Sequence, residues 1–335
     1  MTNYSNSIVK PKIWQIIGTT IAKNATSAES MQQAGLDFEV VKRPNLHALP
    51  SGNNIISDNS FYTFRTDNEA ILGDKIGRDY EVVQNTEAFS FFDSIVGGNG
   101  GIRYETAGAL GYGGTIFITA KLPDYIKVGR NDLIDQYLFL TSTHDGAGCI
   151  TIAFTPVRIW CSNTLNAALN NCSNCIKIRH TASAAEKLKG AHQMLGISDQ
   201  LSVELEAIFN RWARVRITDP QVKRLIQLAM IPNKETYEKL KAGKDDGLSS
   251  HYNNMVSSVF DYAMTADSQQ ESTTRGTLFG AYNAVTGYYQ NVRNYRDDEN
   301  KFKSILYGTG NDRSQVAFNL CADFAKNAID ALKLN

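Results

Sequence analysis

The sequence has few cysteines, no long apolar run and no excess of charge of either sign. Five cysteines in 335 residues do not form a disulfide framework, so a reducing, cytoplasmic location is expected. No stretch approaches the length of about eighteen apolar residues that a membrane helix needs, so no membrane contact is expected. Lys and Arg together number 34, as do Asp and Glu, so any nucleic-acid contact would depend on a local basic surface.

The recognised catalytic and metal-binding motifs are also missing. The five histidines do not form a His-Glu-x-x-His motif, and there is no Gly-x-Ser-x-Gly sequence. Cys172 and Cys175 have the spacing of a zinc half-site, but no second Cys or His pair completes it. The sequence therefore predicts no catalytic residue, no metal and no other cofactor. A weaker alternative is a metal-dependent nuclease that uses Asp79, Glu81 and Glu105.

The distribution of patterns along the chain predicts an α+β fold. Residues 1–30 are expected to form a flexible arm, residues 31–180 an α+β core domain, and residues 181–335 a mainly helical region packed on it. Residues 43–60 are rich in Pro, Asn, Ser and Gly and are expected to form a loop.

A β-β-β-α unit is expected at the centre of the core domain. Apolar alternation marks consecutive antiparallel strands at 114–122, 135–143 and 149–161, and a helix is predicted at 163–171. The N-terminal half is thus predicted to carry an antiparallel sheet, and the C-terminal half to be helical.

The corner where the third strand meets this helix, TPVRIWCSNTLNAAL (residues 155–169), is the first candidate site. Arg158 and Trp160 are two residues apart and therefore share one face of the strand. Ser162 or Asn163 is suited to cap the helix. The corner contains no His, Asp or Glu, so it cannot supply a general base. Arg158 could face either a phosphate group or a buried carboxylate.

Further basic residues near this corner extend the candidate surface. A phosphate backbone attracts such clusters, and aromatic side chains among them can stack on unpaired bases. The alternative is an ordinary solvated basic face. The predicted nucleic-acid-binding residues are Arg158, Trp160, Asn163, Lys121, Lys127, Arg130, Lys177 and Arg179.

The segment YETAGALGYGG (residues 104–114) is unusually rich in small residues and has a Tyr near each end. Such a composition permits tight turns and the close approach of another backbone. The segment is therefore expected to form either a plain Gly-rich hairpin or one that contacts a nucleic-acid strand or a neighbouring subunit.

Several motifs resemble those of one family. AGLDFEV (34–40), GRDYEVVQNTEAF (77–89), VRIWCSNTLNAAL (157–169), IRHT (178–181) and AYNAVTGYY (281–289), together with the Gly-rich segment, occur in the order found in the phage/plasmid-like family of domain-of-unknown-function proteins. The resemblance implies a bacteriophage or mobile-plasmid context but no defined biochemistry.

A more distant resemblance is to the ring-forming single-strand annealing proteins of the eukaryotic recombination-mediator type, whose core is also β-β-β-α. This resemblance implies a non-enzymatic protein that binds single-stranded DNA as a homo-oligomer in recombination or replication. A groove that holds phosphates would suffice for that activity. The alternative from another class is a phage or plasmid protein that binds and inhibits a host defence protein.

Overall fold

Two antiparallel sheets and a set of helices make up the described part of the chain. The computed structural model describes residues 12–23, 25–93, 102–158, 175–190, 193–244, 247–306 and 308–334. Within these residues the N-terminal half carries both sheets and the C-terminal half is mostly helical, so the predicted α+β class is confirmed.

The larger sheet has six strands in the order β1-β5-β6-β7-β8-β9, each antiparallel to its neighbours. Its strands are β1 (Thr19–Thr20), β5 (Arg103–Leu110), β6 (Thr115–Val128), β7 (Asp132–Thr143), β8 (Ile150–Arg158) and β9 (Cys175–Ile178). Strands β6, β7 and β8 are the three consecutive antiparallel strands that the sequence predicts. The helix expected at 163–171 lies outside the described residues.

The smaller sheet is formed by β2 (Val40–Ala48), β3 (Asn54–Arg65) and β4 (Ile71–Ile76). Strands β2 and β3 make a long hairpin, which we call the hairpin arm (residues 40–65), with a register shift between Pro44 and Leu46. The prediction of a loop at 43–60 is therefore wrong except for the turn at residues 49–53. Most of these residues are exposed or half-buried on both faces, so they show none of the apolar alternation that identifies a strand.

The helices are mainly in the second half of the chain. They are α1 (Ile13–Ile17), α2 (Ser27–Gln33), α3 (Asn85–Asp93), α4 (Ala184–Lys189), α5 (Gln193–Trp212), α6 (Asp219–Ala229), α7 (Lys234–Lys241), α8 (Ser250–Thr265), α9 (Leu278–Gly287), α10 (Asp298–Leu306) and α11 (Thr309–Asn327). No helix in these ranges has the length and apolar character required to cross a membrane.

The two faces of the larger sheet are covered differently. The inner face contributes residues such as Ile118, Leu138 and Ile152 to a large apolar core shared with α5, α6, α8 and α9. The outer face carries a small aromatic cluster, which we call the outer cluster. It consists of Ile13, Trp14, Leu110, Phe117, Tyr137, Phe139, Phe302 and Ile305.

Helix α1 packs over one side of the outer cluster. Its Ile13 and Trp14 are buried, and the Trp14 ring packs edge-on against Tyr137 and Phe139. The sequence predicts a flexible arm over residues 1–30, and these two side chains fall within that range.

Candidate nucleic-acid interface

A groove of about 790 Å³ lies beside the outer cluster. One wall is the outer face of the larger sheet, and the other is the segment from Arg293 to Thr309, which includes α10. The two walls come from parts of the chain more than a hundred residues apart, so only the folded protein contains this site.

Threonines line the sheet wall of the groove. Thr115 of β6 pairs with Thr143 of β7, and Thr141 of β7 pairs with Thr151 of β8. Thr151 pairs in turn with Lys177 of β9, which is exposed. Directly paired residues share one face of a sheet, so these side chains form a hydroxyl ladder that ends in an ammonium group.

The Thr143 hydroxyl is buried and has no hydrogen-bond partner among the described residues. Thr115 and Thr151 are only half-buried, and their hydroxyls can both donate and accept a hydrogen bond, which suits phosphate oxygens and base edges alike.

The opposite wall begins where α9 ends. Residues 288–292 form a single π-helical turn, and Arg293 follows it with its guanidinium over the rings of Tyr289 and Tyr295, at 5.3 and 5.2 Å from the centroids. The Tyr295 hydroxyl donates to the Tyr289 carbonyl at 2.8 Å. Burial raises the pKa of Tyr295, so this hydroxyl stays protonated. These contacts hold the Arg293 side chain at the rim of the groove.

The charge of the groove lining is predominantly positive. Lys177, Arg293, Arg296 and Lys303 line it, against the single carboxylate of Asp145. Lys303 is ion-paired with Glu299 at 2.6 Å. Within the described part of the chain, the other three cations make no ion pair with a carboxylate. They are therefore available to an anionic ligand.

A buried histidine pair adjoins the groove at Asp145. His144 Nε2 donates to Asn85 Oδ1 at 2.9 Å, and the His180 ring stacks on Tyr80 with centroids 4.9 Å apart. Burial, and secondarily His180, lowers the pKa of His144 to about 4. Burial also lowers the pKa of His180. Both rings are therefore neutral at physiological pH, as expected for histidines with a structural role. We call this pair the histidine junction.

The histidine junction connects the two sheets. The Thr63 hydroxyl of β3 donates to the His144 carbonyl, and the Tyr80 hydroxyl donates to the Thr143 carbonyl at 2.8 Å. The Asn85 amide also donates to the Leu36 carbonyl at 2.9 Å. The junction thus fixes the end of the β7 strand whose threonines line the groove.

A polar network lies at the other end of the outer face. Lys12 forms ion pairs with Glu105 and Asp135, both at 3.3 Å, and also contacts the Tyr137 hydroxyl. Lys121 is ion-paired with Asp135 at 2.8 Å. A register shift in β5 between Tyr104 and Thr106 accompanies the placement of Glu105 in this network.

The predicted binding residues do not lie together on one surface of the structure. Lys177 lines the groove, whereas Lys121 belongs to the polar network and is already paired. Lys127 and Arg130 are exposed near the turn between β6 and β7, where the Lys127 amide donates to Glu206. Arg179 is exposed just beyond β9.

The strand–helix corner itself is only partly described. The backbone of Arg158 ends β8 and pairs with Ile134. The Arg158 side chain, Trp160 and Asn163 lie outside the described features, as does Cys172. The binding role of these residues stays a prediction.

Sequence reasoning missed the C-terminal wall of the groove. Arg293, Arg296 and Lys303 lie in a stretch that also contains Asp297, Asp298 and Glu299, so their local charge cancels. The available signal was the grouping of three tyrosines with two arginines in YYQNVRNYR (residues 288–296), because aromatic and basic side chains together can bind unpaired bases and phosphates.

The carboxylates of the nuclease alternative do not assemble into a metal site. Glu105 contacts Lys12, Trp14 and Gln15, whereas Asp79 and Glu81 are exposed on the segment before α3. Among the residues that the structure describes, no three His, Cys, Asp or Glu side chains are placed to hold a metal ion.

Comparison with known proteins identifies a family but no characterised relative. Residues 74–306 match the family model described as "Domain of unknown function (DUF932)". The match includes both the sheet wall and most of the opposite wall of the groove. Neither the curated proteins nor the solved structures yield a match.

Proposed function

The chain belongs to the DUF932 family, and we propose that it is a non-enzymatic protein that binds single-stranded DNA in the groove between the sheet and α10. The observation that carries this proposal is the groove lining. Lys177 ends the ladder of threonine hydroxyls on the sheet wall, Arg293 and Arg296 lie on the opposite wall, and none of the three forms an ion pair with a carboxylate among the described residues. The biological setting that we propose is recombination or replication of a phage or other mobile element.

Phosphate binding needs cations that are not held in an ion pair, and Lys177, Arg293 and Arg296 meet this condition among the described residues, although Asp297 lies next to Arg296 in the chain. Threonine hydroxyls add hydrogen bonds that do not depend on base identity. Strand annealing requires no general acid or base, and the neutral, buried His144 and His180 supply none. The groove chemistry therefore fits a sequence-tolerant binder better than an enzyme.

The test is the salt dependence of binding to a fluorescently labelled oligothymidine. Three phosphate contacts predict that the logarithm of the association constant falls with log salt at a slope of about −2. The Lys177→Gln and Arg296→Gln variants should each make the slope shallower by roughly 0.7. Absence of binding at low salt, or binding that salt does not weaken, would contradict the proposal.

Lys127→Gln is the matched control, because Lys127 is an exposed lysine of the same sheet that does not line the groove. It should leave the slope unchanged. If Lys127→Gln makes the salt dependence shallower and Lys177→Gln does not, the strand binds near the β6–β7 turn instead of in the groove.

A second proposal concerns the hairpin arm, which exposes Leu46, Ile55 and Ile56 to more than half of their full areas. Exposed apolar side chains grouped on one projecting element favour a protein contact. We propose that the arm binds a protein, either a further copy in a homo-oligomer or a host defence protein. Light scattering tests for the homo-oligomer, and capture from host lysate tests for the host protein; each experiment is repeated with Ile56→Lys, which should abolish the contact. If the wild type is a monomer and captures no stoichiometric partner, both alternatives are excluded.

A further inference from the structure

The turn between β5 and β6 holds an aromatic side chain away from the protein. Gly111, Tyr112 and Gly113 all have left-handed backbone conformations, with φ of +56°, +59° and +108°. Tyr112 is 86% exposed, more than any other large apolar side chain in the described residues. A left-handed conformation costs an L-residue other than Gly, Asn or Asp on the order of 1 kcal/mol, so neighbouring contacts must maintain it.

Arg65 supplies one of these contacts. Its guanidinium donates to the Tyr112 carbonyl at 3.1 Å, lies over the Phe38 ring at 3.8 Å from the centroid, and is ion-paired with Asp67. On the other side of the turn, the Gly114 amide donates to the Gly111 carbonyl. The backbone of the turn is therefore fixed from the hairpin arm and from within.

The Tyr112 ring takes no part in this fixation. Among the described residues, the ring stacks on no aromatic side chain, and its hydroxyl makes no hydrogen bond. The structure thus holds the backbone of Tyr112 in a costly conformation while leaving both ring faces open to solvent.

The turn that carries the exposed ring adjoins the groove. The turn connects Leu110 to Thr115, and both of these residues line the groove. Tyr112 itself does not line the groove, but its turn lies between two residues that do. An open aromatic face beside a cationic groove is an arrangement by which proteins bind unpaired bases, because every base offers a stacking face. A duplex buries its base faces, and a free phosphate has none.

We propose that Tyr112 stacks on an unpaired base of a nucleic-acid strand whose phosphates lie in the groove. This inference rests on the proposed function and narrows it, because it makes unpaired bases part of what is recognised. The cations of the groove attach the backbone of the strand, and the ring discriminates single strands from duplexes.

The test compares three proteins and two oligonucleotides. Tyr112→Asn removes the ring but tolerates the left-handed backbone, so it should fold at least as stably as the wild type. Tyr112→Phe keeps the ring. The probes are an oligothymidine and an abasic oligonucleotide of equal length, which carries the same phosphates without bases.

We expect Tyr112→Asn to weaken oligothymidine binding roughly 5- to 150-fold, which corresponds to the loss of one stacked base. Tyr112→Phe should bind oligothymidine like the wild type, and all three proteins should bind the abasic strand equally. Equal binding of oligothymidine by the wild type and Tyr112→Asn would overturn the stacking role alone. If the wild type binds neither probe, the proposed function fails, and the stacking role fails with it.

Discussion

The two faces of the six-stranded sheet differ in what covers them. The inner face is mostly apolar, with Gln136 and Ser142 as buried polar exceptions, and shares one core with C-terminal helices that include α5, α6, α8, α9 and α11. The outer face has three parts, with the polar network at one end, the outer cluster in the middle and the cationic groove at the other end. One strand serves both faces, since Leu138 and Leu140 of β7 point inward while Tyr137, Phe139 and Thr141 point outward.

The two faces therefore contribute differently to stability and to ligand binding. Burial of apolar area on the inner face supplies most of the stability, whereas the outer face retains charged and hydroxyl groups that a ligand can reach. Substitutions on the inner face should therefore change the free energy of unfolding, and substitutions in the groove should mainly change binding.

The largest expected effect is on the inner face. Leu138 is fully buried in the central strand β7, so Leu138→Ala should lower the free energy of unfolding by about 2–5 kcal/mol in urea titrations. Thr151→Ala, on the groove side of β8, should cost about 1 kcal/mol or less. Equal losses from the two substitutions would show that the faces do not divide the tasks in this way.

The polar network should give the next largest effect. Asp135 accepts from Lys12 and Lys121, and Asp135→Asn would leave two partly buried ammonium groups with less compensating charge. We expect a loss of about 2–3 kcal/mol in the free energy of unfolding. Asp330→Asn breaks an exposed ion pair with Lys333 and is the control, with an expected change below about 0.5 kcal/mol.

The histidine junction between the two sheets should make stability depend on pH. The pKa of His144 is about 4 in the folded protein and near 6.5 when unfolded, so acid protonates the unfolded state first. Stability is therefore complete above pH 6.5 and falls as the pH drops toward 4, by about 2 kcal/mol at pH 5. Urea titrations of the wild type and His144→Gln measure this. A variant that retains the full pH dependence would exclude His144 as its source.

Several elements could be predicted from the sequence because their signals are local. The alternation in 114–122, 135–143 and 149–161 predicted β6, β7 and β8, since each strand has one face in the apolar core. The distal part of the hairpin arm, at residues 43–60, was missed because both of its faces are accessible, which removes the alternation.

The candidate site was only partly predictable for a different reason. Lys177 was identified from its local basic surroundings, and it does line the groove. Lys121 has the same local signal, but its partner Asp135 lies on the neighbouring strand, where only strand pairing brings the two together. The Arg293 wall lies more than a hundred residues further along the chain, and no spacing within the sequence connects it to Lys177.

The outer cluster also constrains the order in which the protein assembles. Its members Trp14 and Phe302 come from nearly opposite ends of the described chain, and the Phe302 ring lies 5.0 Å from Phe117 and 5.7 Å from Phe139. A chain emerging from the ribosome can therefore pair β5 to β8 and begin its inner core long before the outer cluster can close. Helix α1 can pack on Tyr137 and Phe139 before α10 is made, but the cluster and the groove are both completed only when α10 is added. Binding activity should therefore appear only after almost the whole polypeptide has been synthesised.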